Sequence, residues 1–212
     1  MSTTPSCRLR RALLGLLVLA GATQALADDG PLGIDHRASF DGNGIWARSN
    51  QRALALGGLA VEFGGAFWLG NDDPLGHTFW QTLDANVVTT LSVQALKYST
   101  SRARPGEKDD PNAWGQGSCC QSFPSGEVAF QASLITPFIV NYGRDHPELW
   151  ALEALPLYVG EARIKNQAHW QSDVLVGWVI GTASGYWATT RAMPFTVEVL
   201  PGGMSVGWRR SF

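Results

Sequence analysis

Apolar residues dominate the chain from position 51 onward, in five stretches separated by polar, glycine-rich or proline-rich breaks. Residues 51–69 carry Leu54, Leu56, Leu59, Val61, Phe63 and Phe67, interrupted by Gly57-Gly58 and Gly64-Gly65; they read as a helix with close contacts at its glycines. Asn71-Asp-Asp-Pro74 is a turn. Residues 78–98 include a β-prone Val87-Val-Thr-Thr90, but their length without a turn signal favours a helix. A third helix is expected over 125–142, opening after Pro124 with Ser125 near its cap and kinked at Pro137. A fourth covers 147–163 and a fifth 170–190. In the last, His169, Asp173, Gly177, Gly181 and Gly185 recur every four residues, a row that spirals slowly because four residues overshoot one turn. On a helix His169 and Asp173 share a face, so the carboxylate can hydrogen-bond one ring nitrogen and leave the other free. The glycines below them predict a seam where a neighbouring helix approaches closely, the rival being a small-residue dimer face in a membrane. Residues 195–208 alternate about Pro201-Gly-Gly203, as a short β-hairpin does.

Outside these stretches the pattern changes. Residues 1–27 have a basic start (Arg8, Arg10, Arg11), an apolar run from Ala12 to Ala20 and a small-residue site at Ala25-Leu26-Ala27, the layout of a cleaved bacterial secretory signal. The expected location is therefore the periplasm, with the membrane surface as a place of association. Cleavage takes the net charge from −2 to −5, which disfavours nucleic acid as a partner. Residues 28–50 form an irregular arm; its Asp41-Gly-Asn-Gly44 lacks the closing glutamate of a calcium loop and reads as a turn. Residues 99–124 are a polar loop long enough to suggest function. The longest uncharged run of the mature chain, Val174–Thr190, sits at the lower edge of a membrane span, and the helices read as a domain outside the membrane rather than a polytopic one. The division expected is thus 1–27 signal, 28–50 arm, 51–192 helical domain and 193–212 hairpin. The sequence sets no oligomeric state.

Cys7 leaves with the signal. Cys119 and Cys120 are adjacent, so no disulfide framework follows; a vicinal disulfide, two free thiols and an intermolecular bridge all stay open. His36, His77 and His146 match no pattern.

Three separated pieces carry the candidate chemistry: Lys97-Tyr-Ser-Thr-Ser-Arg-Ala-Arg104-Pro105, then Phe123-Pro-Ser-Gly-Glu127, then Ala162-Arg163 followed by His169 and Asp173. In order and spacing they resemble the type 2 phosphatidic acid phosphatase superfamily, which includes bacterial acid phosphatases and vanadium haloperoxidases. That family's pattern is Lys-x6-Arg-Pro, Pro-Ser-Gly-His and Ser-Arg-x5-His-x3-Asp. This chain departs twice, with Ala162 for the serine and Glu127 for the first histidine. The resemblance spans roughly residues 50–190 and implies an all-α helical bundle of the phosphatidic acid phosphatase/chloroperoxidase type, to which the sequence adds the small C-terminal β-hairpin.

It also implies roles. Lys97, Arg104 and Arg163 would supply cations for a phosphoryl group, and Ser125 and Gly126 would present helix-start amides to it. His169 would attack phosphorus and form a phosphohistidine, oriented by Asp173. No metal and no cofactor is implied. Glu127 stands where the family protonates the leaving oxygen. Burial would raise its pKa, whereas the helix start and the cations would lower it. If ionised, it is expected to pair with Arg104 or Arg163 and to restrict turnover to good leaving groups such as pyrophosphates. Arg102 and Lys165, near the motifs, are candidates for added positive potential. The expected activity is a periplasmic phosphatase for a phosphate monoester or diphosphate, soluble or, by preference, lipid. Two alternatives are a non-catalytic binder of lipid phosphates and a vanadate-dependent haloperoxidase.

Overall fold

The computed structural model describes residues 30–191, together with the backbone of 196–200 and 203–207. The expected signal segment lies outside the described residues.

Five α-helices make the fold of the described residues. Helix α1 runs Arg48–Leu69 and stops at Gly70, whose φ of +74° continues no helix. Helix α2, Pro74–Thr100, starts where the Asp73 carboxylate accepts the amides of Leu75 and Gly76, both at 2.9 Å, with Pro74 at the first helical position. Helix α3, Gly126–Tyr142, runs through Pro137 as one element. The expected fourth helix divides into a 3-10 segment, Pro147–Glu153, and helix α4, Ala154–Lys165. Helix α5 is Gln171–Thr189. Two strands, β1 (Thr196–Leu200) and β2 (Gly203–Gly207), pair antiparallel, but the turn residues 201–202 are not described and the helical fold does not depend on them.

Helix α3 is central and packs against the four others. It buries Val128, Ala129, Ala132 and Ile135, while α2 contributes Ala85 and Val93 and α4 contributes Val159 and Ala162. The glycine row of α5 lies on the backbone of α3. A Cβ at Gly177 would stand 2.4 Å from the Ser125 carbonyl oxygen, and one at Gly181 2.1 Å from that of Ala129. One at Gly185 would meet the Thr136 Cβ at 2.6 Å. The seam thus joins two helices of one chain, and only glycine allows that approach.

Helix α1 is different. It is long and apolar enough to cross a membrane, and most of it is not buried. Leu56, Val61, Phe63, Phe67 and Trp68 are exposed on it, as are Val87, Leu91 and Tyr98 on α2. The run 174–190, which drew attention in the sequence, instead turns its glycines inward.

The arm turns at two 3-10 segments, Pro31–Gly33 and Gly44–Trp46. Asp41 accepts the Asn43 amide at 3.1 Å, as in a turn. The loop between α2 and α3 is tied to the bundle by backbone bonds, among them Ser122 to Arg102 (2.9 Å) and Ala103 to Ala113 (2.9 Å).

Candidate active site

Arg163, His169 and Asp173 meet because a helix ends and another begins between them. Arg163 is in the last turn of α4. The chain then reverses through amide bonds from Asn166, Gln167 and Ala168 back to the carbonyls of Ala162, Ile164 and Arg163 (2.9–3.0 Å), with Gln167 at φ +51°. His169 follows in this turn. It precedes α5, so the expectation that it shares a helical face with Asp173 is corrected. Asp173 lies in the first turn of α5, and its Oδ2 accepts the Trp170 amide at 2.9 Å, closing the helix start.

His169 Nδ1 faces Asp173 Oδ2 at 3.6 Å, an ion-pair distance rather than a hydrogen bond. Contacts of this kind often tighten only with substrate bound. The hydrogen bonds of Asp173 go elsewhere: Ser122 Oγ donates to Oδ2, and Arg102 Nη1 donates to Oδ1 at 2.6 Å. Burial pushes the Asp173 carboxyl up, but His169, Arg102 and Ser122 outweigh it and hold it below its ordinary value. Burial of the imidazole brings His169 down to about 4, with Asp173 opposing and Arg163 and Lys97 assisting. The ring is therefore neutral at ordinary pH, with Nε2 in no hydrogen bond among the described residues.

Three cations surround it. Lys97 Nζ donates to the Gln121 carbonyl at 2.6 Å. Arg104 donates to the carbonyls of Ala168 (3.0 Å) and Gln121 (3.4 Å). Arg163 Nη1 donates to the buried Gln51 side chain at 3.3 Å, and its buried Nε has no partner. Backbone carbonyls hold Lys97 and Arg104 in place without neutralising them, so their charge is kept for an anion. Burial, with Arg104 and Arg163 adding to it and Asp173 and Glu127 opposing, brings Lys97 down to about 8. Burial likewise brings Arg163 down to about 10, opposed by Glu127 and assisted by Arg48 and Arg104.

Ser125 occupies the cap position of α3, yet its buried Oγ caps nothing and has no partner. Its amide donates to the Asp173 carbonyl at 2.9 Å, which ties the start of α3 to that of α5. Gly126 opens α3 beside Lys97: a Cβ there would lie 3.9 Å from the lysine Cε. An unspent hydroxyl, an unspent guanidinium nitrogen and a helix start thus lie among three cations, the makings of an oxyanion site.

Glu127 pairs with a residue the sequence did not single out. Arg48 Nη1 donates to Oε2 at 2.5 Å and Nη2 donates to Oε1, a two-pronged pair. Arg163 Nη1 is 3.9 Å from Oε1, while Arg104 makes no ion pair with it among the described contacts. Gln51 joins the set by accepting Arg48 at 3.0 Å as well as Arg163. Burial pushes Glu127 up, but Arg48 and Arg163 outweigh it and hold the carboxyl below its ordinary value.

Arg102 is not a phosphate-facing cation. It is fully buried and donates to Asp173, to Ser172 Oγ (2.8 Å), to Asp35 Oδ2 (2.5 Å) and to the Pro111 carbonyl. Asp35, from the arm, also accepts the Ser172 amide at 2.7 Å. Lys165 pairs with Glu161 at 3.7 Å. Cys119 and Cys120 are free thiols.

Comparison with known proteins fits this geometry. The model of the PAP2 superfamily matches residues 79–195, more than half of the chain. The chain belongs to the PAP2 superfamily. It is 36% identical over 101 residues to a lipid A 1-phosphatase of Porphyromonas gingivalis, across 45% of this chain and 20% of that protein. It therefore spans about a fifth of the length of that curated relative. The crystal structure of Aquifex aeolicus LpxE shares the fold, with a TM-score of 0.50 and 23% identity over 66% of this chain and 84% of the other. Asp35, Arg48 and Gln51, which support the site, all precede the matched residues.

Proposed function

We propose that this PAP2 protein is a phosphatase that removes phosphate from a lipid phosphate at the periplasmic side of a membrane, through a phosphohistidine on His169. The observation that carries the reading is the buried His169 ring among Lys97, Arg104 and Arg163, of which Lys97 and Arg104 are held by backbone carbonyls and Arg163 lies 3.9 Å from Glu127. The Nε2 lone pair attacks phosphorus, and the bond to the leaving oxygen breaks with its electron pair on that oxygen. Lys97, Arg104, Arg163, Ser125 Oγ and the Gly126 amide hold the phosphoryl oxygens. Asp173 compensates the charge that the ring gains. Water then attacks the phosphohistidine and releases phosphate.

Glu127 sets the leaving group. Held ionised by Arg48, it has no proton to give. Substrates whose leaving group departs as a stable anion, lipid diphosphates above all, are therefore favoured over simple esters. The lipid character rests on the exposed apolar faces of α1 and α2 and on the lipid A phosphatase among the relatives. These faces would rest against the bilayer, with the site at its edge. The catalytic unit would start ahead of the expected limits 51–192, so as to include Asp35 and Arg48.

A second reading, a binder without turnover, draws on the same Arg48–Glu127 pair. The deciding experiment compares phosphate release from a lipid diphosphate and from the matching monoester, in the wild type and in Glu127→His. The phosphatase reading expects diphosphate turnover in the wild type and a gain on the monoester with histidine. Binding of both substrates without release of phosphate from either overturns it.

A further inference from the structure

Between α1 and α2 runs a groove of about 510 Å³ whose walls are almost wholly apolar; Leu59, Phe63, Val87 and Leu91 form its open side. Gly126 and Glu127 of α3 also line it, so the groove reaches the candidate phosphate site. It also contains a carboxylate. Glu62 of α1 is fully buried; its Oε1 accepts Asn86 Nδ2 at 2.5 Å, and Asn86 Oδ1 in turn accepts Ser133 Oγ at 2.6 Å. Glu62 Oε2 has no hydrogen-bond partner. Thr82 lies within hydrogen-bonding reach of the carboxyl but donates its hydroxyl to the Phe79 carbonyl at 2.7 Å. Burial raises Glu62 to about 7, opposed by Asn86 and Thr82, so above that pH the group is an ionised acceptor. A carboxylate buried in an apolar wall is costly unless its oxygens are satisfied. The proposed mechanism uses Gly126 and Glu127 but none of Glu62, Thr82, Asn86 and Ser133.

We infer that this groove holds a hydrocarbon chain of the lipid substrate and that Glu62 Oε2 accepts a hydrogen bond from a hydroxyl or amide N–H carried on that chain. The inference rests on the phosphatase reading for the position of the phosphate, and on the groove itself for the chain. Continuity with Glu127 sets the register. Ser133 lies six residues beyond Glu127 on α3, about 9 Å along the helix. The donor sought by Glu62 therefore lies close to the headgroup and not at the tail end of the chain. A plain alkyl chain fills the same groove but leaves Oε2 unsatisfied, so the site discriminates for the hydroxyl or amide.

The test uses two diacylglycerol diphosphates in detergent micelles, identical except for one hydroxyl near the carbonyl end of an acyl chain, and the two matching free fatty acids. The expected result is a preference of about tenfold for the hydroxylated form, the worth of one buried hydrogen bond. It appears in kcat/KM for the diphosphates and in Kd by titration calorimetry for the fatty acids. Glu62→Leu abolishes both preferences. Thr90→Trp, at an exposed position on the groove wall, lowers kcat/KM for the long-chain diphosphates relative to glycerol phosphate. Equal treatment of the paired compounds, or a preference that survives Glu62→Leu, overturns the inference. Absence of phosphate release would defeat the phosphatase reading alone, because the fatty-acid arm still decides the groove.

Discussion

Arg48 and Glu127 lie 79 positions apart in the chain and grip each other through both prongs of the guanidinium. The pair joins the first turn of α1 to the first turn of α3, beside the proposed phosphate site. A cation at a helix start opposes the helix dipole, so Arg48 is placed against local preference and is explained by its partner.

The two residues are expected to act as a unit. In Arg48→Ala the Glu127 carboxylate loses its close partner and repels the incoming phosphate, and kcat/KM falls by roughly 10- to 100-fold. Glu127→Gln alone has a smaller effect, and the double variant recovers most of the loss. A double-mutant cycle on kcat/KM checks this; additive effects would show two independent residues.

The pH dependence of kcat/KM should have two limbs. Burial holds His169 near 4, so the nucleophile is lost only as pH falls toward that value. Burial and the neighbouring arginines hold Lys97 near 8, so one phosphate-binding charge is lost as pH rises through it. Lys97→Arg keeps its charge and is expected to move the upper limb to higher pH. His169 also couples to stability. Its folded pKa lies below the unfolded value, so the unfolded chain binds more protons between about 4 and 6.5, and stability falls as pH is lowered through that window. Denaturant titrations of the wild type and His169→Asn at several pH values measure this.

The glycine seam fixes the site through packing. Gly181→Ala drives a Cβ into the Ala129 carbonyl and is expected to cost about 1–3 kcal/mol. Gly177→Ala pushes on the Ser125 carbonyl, next to the phosphate-binding helix start, and so lowers phosphate release more than its stability cost predicts. Unfolding curves alongside kcat for the two variants separate these effects.

Arg102 neutralises two buried carboxylates, Asp35 and Asp173. Arg102→Met leaves both uncompensated, at an expected cost of about 3–5 kcal/mol. Asp35→Asn, which leaves Arg102 paired with Asp173, is expected to cost less. Chemical denaturation orders the two.

Much of this was legible in the sequence, for physical reasons. The spacing of Arg163, His169 and Asp173 is that of a helix end, a reversal and a helix start, which backbone geometry fixes. The glycine row announced a close approach, and α3 supplies it. The sequence misled where one local pattern fitted two structures: His169 continued the helical row of Asp173 and the glycines, yet lies in the turn before α5. Long-range partners were silent. Arg48 finds Glu127, and Asp35 finds Arg102, only when distant helices and the arm are folded together. Arg102, beside the phosphate motif, looked like one more cation, and only its burial shows it facing inward. For α1, hydropathy alone did not separate a core helix from an outward face; the exposure of Leu56, Phe67 and Trp68 does.

The central claim is that His169 is the nucleophile of a phosphatase. The direct measurement is the release of inorganic phosphate from a lipid diphosphate by the wild type and by His169→Ala, with acid-labile phosphate on the protein trapped in the same reactions. The account predicts release and a trapped phosphoenzyme in the wild type, with both lost in the variant and the rate down by roughly a thousandfold or more. Phosphate release that continues unchanged in His169→Ala would contradict it.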